Sequence, residues 1–157
     1  MGRLTGFGRL QTPEHLLGKL RHDYSRIQQE PGDEYAAFDF FVTAEHLLDW
    51  LWPGQINRSR REQFRSSDPL LEVTSHIASG VKHFVAEAKH HQSVGHADVA
   101  PAAFSDAFDP GAFQTSDELF VTLDGRAEAQ FGPKIGVRPL GARILAFWEN
   151  YFAQRTP

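Results

Sequence analysis

The chain has 157 residues, of which 41% are hydrophobic and 23% are charged, and these values predict a single soluble globular domain with its own core. There is no cysteine, which excludes disulfides and thiolate chemistry and is compatible with a cytoplasmic location. The formal net charge is −4, so no global basic field indicates RNA as a partner, and no apolar run is long enough to predict a signal peptide or a membrane span.

The first predicted helix begins at Thr12-Pro13 and follows a loose N-terminal arm over residues 1–11. Threonine is a good N-cap, and proline suits the first helical position because it has no N–H to leave unpaired. Apolar residues recur behind it at helical spacing, until Pro31-Gly32 ends the helix.

The second predicted helix, which we call the central helix, is capped by Asp33 and runs to about Trp52. Apolar residues surround nearly its whole circumference, which is typical of a helix in the middle of a fold. Among its few polar residues, Asp39, Glu45, His46 and Asp49 fall on about one side. A buried carboxylate needs a partner, and we expect histidines or lysines of the following long helix to supply it.

Four arginines within eight residues form the strongest basic cluster of the chain, and they surround Phe64. Guanidinium groups can bind phosphate or carboxylate through two hydrogen bonds, and an aromatic ring among them would allow stacking with single-stranded nucleic acid. The alternative is a solvated charged surface on a short helix or a loop. The predicted anion or nucleic-acid contacts are Arg58, Arg60, Arg61 and Arg65.

The third long helix, which we call the hub helix, begins at Asp68-Pro69 and continues to about residue 91. His76, His83 and His90 are seven residues apart, so they share a stripe that flanks the apolar face. Glu87 lies on this stripe, one turn beyond His83.

This histidine stripe supports two site hypotheses. His83, Glu87 and His90 could bind zinc or another divalent metal, although they lack the fixed spacing of a known motif. His83, paired with His76 and with Glu45 of the central helix, could act in proton transfer. The alternative to the metal site is a set of solvated or ion-paired residues on the flank of the helix, and the alternative to proton transfer is a structural salt bridge with an acidic residue of the central helix. The sequence predicts no other cofactor.

The last third of the chain changes in pattern. Residues 93–116 are rich in small and polar residues and predict a long loop. Residues 118–123 predict a strand, Asp124-Gly125 a hairpin turn, and residues 127–131 the returning strand. A final helix should begin near Pro139.

The predicted fold is therefore mainly α, a single domain over residues 1–157. It comprises a bundle of four to five helices with one β-hairpin before the C-terminal helix. The helical core covers residues 12–92, and the hairpin and last helix cover residues 117–157.

Two segments carry a family resemblance: Ala36 to His46 in the central helix and His76 to Phe84 in the hub helix. Together they resemble uncharacterised bacterial and phage proteins whose helical part is similar to the HEPN superfamily. The resemblance covers about residues 12–92. It implies an all-helical, often dimeric protein, and many members are metal-independent ribonucleases of defence and toxin systems.

The active pair of that superfamily is an arginine followed a few residues later by a histidine. The hub helix has no arginine before His83, and the nearest match, Arg9 with His15, spans a helix start instead of lying within a helix. The resemblance therefore favours a noncatalytic interaction or regulatory module, with a second copy or another protein as its partner. The alternative function is a histidine-dependent hydrolase or ribonuclease.

Overall fold

The computed structural model describes residues 6–83, 94–100 and 118–155. The helices are α1 (Pro13–Gln29), α2 (Glu34–Leu51), α3 (Arg58–Ser66), α4 (Pro69–His83), α5 (Gly125–Phe131) and α6 (Val137–Ala153). The strands are β1 (Val94–Ala100), β2 (Glu118–Leu123) and β3 (Lys134–Gly136), and a short 3-10 turn occupies Gln55–Asn57. The predicted class is confirmed: the protein is mainly helical, with an antiparallel hairpin before the last helix. The described part holds six helices and not four or five, because α3 and α5 are both helical.

Local capping explains where three of the helices begin. Thr12, Asp33 and Asp68 each accept, through a side-chain oxygen, a hydrogen bond from a backbone N–H in the first turn that follows. These bonds satisfy amide groups that have no partner inside the helix. The residues predicted to begin α1, α2 and α4 are therefore confirmed.

The core lies between α1, α2, α4 and α6, and α2 contacts the other three. Its largest fully buried side chains include Leu20, Phe40, Phe41, Leu47, Leu140, Ile144 and Trp148. Burial of α2 on all sides is nevertheless wrong, because Tyr35 is 82% exposed and Phe38 is 41% exposed. None of the helices within the described ranges is both long enough and apolar enough to cross a membrane.

The sheet has the order β1-β2-β3, and both pairings are antiparallel. β1 pairs along the whole of β2, from Val94 opposite Leu123 to Ala100 opposite Glu118, with a register shift between Val94 and His96. The predicted long loop over 93–116 is therefore wrong for residues 94–100, while residues 101–117 lie outside the described part. Glycine, alanine and aspartate have low strand propensity, so β1 depends on its pairing with β2.

The second strand of the hairpin is also displaced from its predicted position. Residues 127–131 belong to α5, and the strand that returns along β2 is β3. Ala127 is fully buried while Ala129 is exposed, so residues two apart do not share a face as they would in a strand. Alanine, glutamate and glutamine favour helix, and Asp124 stands at the N-cap of α5 instead of in a hairpin turn.

Candidate functional site

The acidic residues of α2 are paired, as expected, but their partners differ from the predicted ones. Arginines of α1 and α3 take the place of the histidines or lysines of the hub helix. The pairs are Arg26–Asp39 at 2.5 Å, Arg65–Glu45 at 2.5 Å and Arg61–Asp49 at 3.1 Å. Two of these three pairs attach α3 to α2, so much of the predicted arginine cluster has a structural role in this fold.

Phe64 anchors α3, the helix that carries the arginines, to the aromatic residues around it. The Phe64 ring packs on Trp52 with a centroid separation of 5.0 Å, and it also contacts Phe147, Trp148 and Tyr151 of α6. Edge-to-face packing of this kind adds to the free energy gained by burying the rings. Phe64 is thus part of the aromatic core, which leaves it poorly placed to stack with nucleotide bases.

Arg61 is bound on two sides and is largely covered, with 13% of its side chain exposed. Its Nε lies 3.1 Å from the Asp49 carboxylate. Its Nη1 donates to the carbonyl oxygens of Trp52 at 2.5 Å and Gly54 at 2.9 Å. Carbonyl groups at a helix C-terminus lack partners within the helix. Arg61 therefore stabilises the end of α2 and the turn that leads into α3.

Arg65 forms the most enclosed ion pair of the site. Its Nε and Nη2 donate to Glu45 Oε1 at 3.0 and 2.5 Å, and the two side chains are 15% and 18% exposed. Burial raises the pKa of the Glu45 carboxyl, and the Arg65 charge and hydrogen bonds oppose that rise. Loss of Arg65 would therefore leave a carboxylate that is both buried and unpaired.

The two remaining arginines of the cluster, Arg58 and Arg60, are both exposed. Arg58 Nε donates to Glu62 at 2.9 Å, one turn along the helix, and the two side chains are 72% and 50% exposed. The Arg60 guanidinium lies over the Trp52 ring, with its carbon 4.7 Å from the centroid. These two groups are the accessible part of the predicted anion-contact surface.

An open pocket of about 240 Å³ lies where α3 meets the end of α2. Its walls carry three guanidinium groups, two carboxylates and one amide. The lining residues are Asp49, Gln55, Arg58, Arg61, Glu62 and Arg65. Three of the four predicted anion contacts thus meet in one concave site, and Arg60 lies outside its walls.

The histidine stripe is described only in part. His76 Nδ1 accepts a hydrogen bond from the Val94 backbone N–H at 3.0 Å, which joins α4 to β1. His83 is the last residue of α4 that the structure describes, and only its backbone is described. Glu87 and His90 lie outside the described residues. Within the ranges that the structure describes, no three histidine or acidic side chains meet as metal ligands. The metal hypothesis for His83, Glu87 and His90 stays a prediction.

A buried polar cluster lies between α1 and α2, and it was not predicted from the sequence. Asp23 is 1% exposed, and its Oδ2 accepts from Lys19 Nζ at 2.5 Å and from Thr43 Oγ1 at 2.8 Å. A signal for it exists, because Asp23 follows Leu20 by three residues and precedes Ile27 by four. Those neighbours mark the buried face of α1, so the spacing indicates an enclosed carboxylate.

Comparisons of the chain with protein-family models, with curated proteins and with solved structures each found no match. The HEPN-like resemblance of α2 and α4 therefore stays a prediction. Function has to be inferred from the contacts of the described residues.

Proposed function

We propose that this chain is a noncatalytic interaction module, a HEPN-like helical protein that binds another protein through the exposed side of α3. The observation that carries the proposal is the state of the two candidate catalytic residues whose side chains are described. Glu45 is bound to Arg65, and His76 accepts the Val94 N–H. A general base needs a lone pair within reach of a substrate proton. Contacts that join structural elements support a stabilising role for both residues better than a catalytic one.

The side chains exposed on and near α3 are of the kinds that bind other proteins. Arginine and tryptophan are enriched among the residues that dominate protein interfaces, and Arg60 lies stacked on a half-buried Trp52 at this surface. Ile56, on the turn before α3, is 93% exposed. A branched aliphatic side chain on the turn that precedes a helix with accessible guanidinium groups offers a partner both apolar contact and directed hydrogen bonds.

Charge favours a protein over a nucleic acid as the partner. The carboxylates of Asp49 and Glu62 stand among the arginines of the pocket, and each would repel a phosphate backbone. The net charge of −4 adds no attraction. A protein surface with separate acidic and apolar groups suits this mixture better.

A cleavage assay tests the absence of catalysis. The protein, purified without a histidine tag, is incubated with a mixed RNA pool, with and without Mn²⁺ or Zn²⁺. We expect no cleavage above background in either condition. Cleavage by the wild type that disappears in His83→Ala, His76→Ala or Glu45→Gln would overturn the proposal and establish the histidine-dependent nuclease. Thermal unfolding of each variant separates loss of activity from loss of the fold.

Light scattering over a range of protein concentrations tests whether the partner is a second copy. A mass that doubles with concentration, and that returns to the monomer value in Ile56→Asp, would identify self-association through the α3 surface. A monomer at every concentration would leave a different protein as the partner.

A further inference from the structure

We infer that the pocket between α2 and α3 binds a carboxylate side chain of an acidic peptide segment, with Arg58 as its principal donor and Ile56 as the adjoining apolar contact. This inference rests on the proposed function, because it names the chemistry of the partner that the module would bind. The site is a concave surface of about 240 Å³ that contains Arg58, Arg61 and Arg65.

Unused hydrogen-bond donors are the first ground for the inference. Arg58 uses only its Nε, in the bond to Glu62, and within the described residues both of its terminal nitrogens lack partners. Arg61 uses Nε and Nη1, and Arg65 uses Nε and Nη2, so each keeps one more terminal nitrogen. The two terminal nitrogens of one guanidinium match the two oxygens of a carboxylate. Arg58 is 72% exposed and can present that edge to a partner.

The charge of the pocket selects among anions. Three arginines and two carboxylates line it, a balance of 3 − 2 = +1, and Glu45 behind Arg65 cancels the remainder. A site without a strong positive field does not favour a polyanion, whose binding depends on neutralising several phosphates. A single carboxylate needs only the directed N–H donors, and it brings less charge close to Asp49 and Glu62.

Ile56 indicates which kind of residue should lie next to the carboxylate in the bound peptide. It follows Gln55, which lines the pocket, and it is 93% exposed. Isolated apolar residues are common on protein surfaces, so exposure alone indicates little. Here the exposed side chain follows directly on a residue of the pocket wall, so a partner that fills the pocket would bring a neighbouring residue close to it. The expected ligand is therefore a segment in which one acidic residue has a large apolar residue next to it.

Fluorescence polarisation with a defined peptide tests the inference. The probe is a fluorescein-labelled peptide with one glutamate flanked by leucines, and its control has glutamine in place of that glutamate. We expect saturable binding of the glutamate peptide and binding of the glutamine peptide that is at least about tenfold weaker, since hydrogen bonds to charged groups are worth that much or more. Inorganic phosphate and an oligouridine RNA serve as competitors, and neither should displace the peptide at equal charge concentration.

Variants locate the binding to the pocket. Arg58→Ala should weaken peptide binding by about tenfold or more, and Ile56→Ala by several-fold. Arg58→Lys keeps the charge and removes the paired donors, so it should bind more weakly than the wild type. Arg21→Ala is the matched control, because Arg21 is 54% exposed, pairs with Glu149 and does not line the pocket. It should bind as the wild type does.

Three results would overturn the inference: no saturable binding of the glutamate peptide, equal binding by Arg58→Ala and the wild type, or displacement of the peptide by the RNA. The last would identify a nucleic-acid surface. Failure here is distinct from failure of the proposed function. An RNA pool that stays intact while the peptide does not bind removes only the carboxylate pocket, whereas histidine-dependent cleavage removes the noncatalytic module.

Discussion

The Arg65–Glu45 ion pair is expected to contribute strongly to the stability of the fold. Replacing Arg65 by methionine keeps an apolar stem of similar length and removes the guanidinium, so that Glu45 loses both of its hydrogen bonds from Arg65. Breaking a fully buried pair costs about 3–5 kcal/mol, whereas an exposed pair is worth about 0–1 kcal/mol. With side chains 15% and 18% exposed, this pair lies nearer the buried limit. We expect Arg65→Met to lower the free energy of unfolding by about 2–3 kcal/mol.

Arg58→Met is the matched control on the same helix. Its pair with Glu62 is also between an arginine and a glutamate, but the side chains are 72% and 50% exposed, so we expect a loss of less than about 0.5 kcal/mol. Urea unfolding followed by circular dichroism measures both variants, and Arg65→Met should also lower the Tm by roughly 5–10 °C. Equal losses in the two variants would refute the reasoning from burial.

The pH dependence supplies a second check on the same pair. The pKa of Glu45 is raised in the folded state by burial, so folding favours its protonated form. The stability that this group contributes is present below the ordinary glutamate pKa, and it is lost as the pH rises through the raised folded pKa. Glu45→Gln, which does not titrate, should remove this dependence, and Arg65→Met should extend it to higher pH. Identical pH profiles for the wild type and Glu45→Gln would contradict this assignment.

Three further substitutions test the helices. Gly18→Ala places a methyl group where no atom lies within 4 Å, so it should raise the free energy of unfolding by about 0.5–1 kcal/mol and with it the urea midpoint. Gly141→Ala would set its Cβ 3.1 Å from the Tyr24 ring and should lower the free energy of unfolding by about 1 kcal/mol. Equal gains in the two variants would contradict the packing at α6. Asp33→Ala removes the N-cap of α2 and should cost about 1 kcal/mol, and an unchanged Tm would argue against the cap. Asp23→Ala leaves the buried Thr43 hydroxyl without its acceptor and removes the carboxylate that pairs with Lys19, so it should cost about 2–3 kcal/mol by urea unfolding; a cost under about 0.5 kcal/mol would refute a buried network.

Features that depend on neighbours along the chain were predictable from the residues. The starts of α1, α2 and α4 follow from Thr12, Asp33 and Asp68, whose side chains bond to amides a few positions away. The strand β2 follows from an apolar and β-branched run. The need of Glu45 for a partner was also predictable, because desolvation of a charge is costly, whereas Asp39 and Asp49 are 43% and 54% exposed and stay partly solvated.

Which groups meet was decided by packing. Arg65 lies twenty positions from Glu45 in the chain. Nothing in the sequence around either residue favours Arg65 over the histidines of α4 as the partner of Glu45. Two of the four predicted anion contacts, Arg61 and Arg65, form ion pairs with α2, and Phe64 of the same helix packs in the aromatic core. β1 formed through its hydrogen bonds to β2 despite a composition with little strand preference. Capping acts within one helical turn, whereas ion pairs and strand pairs join distant residues, so they follow from the way the helices and strands pack together.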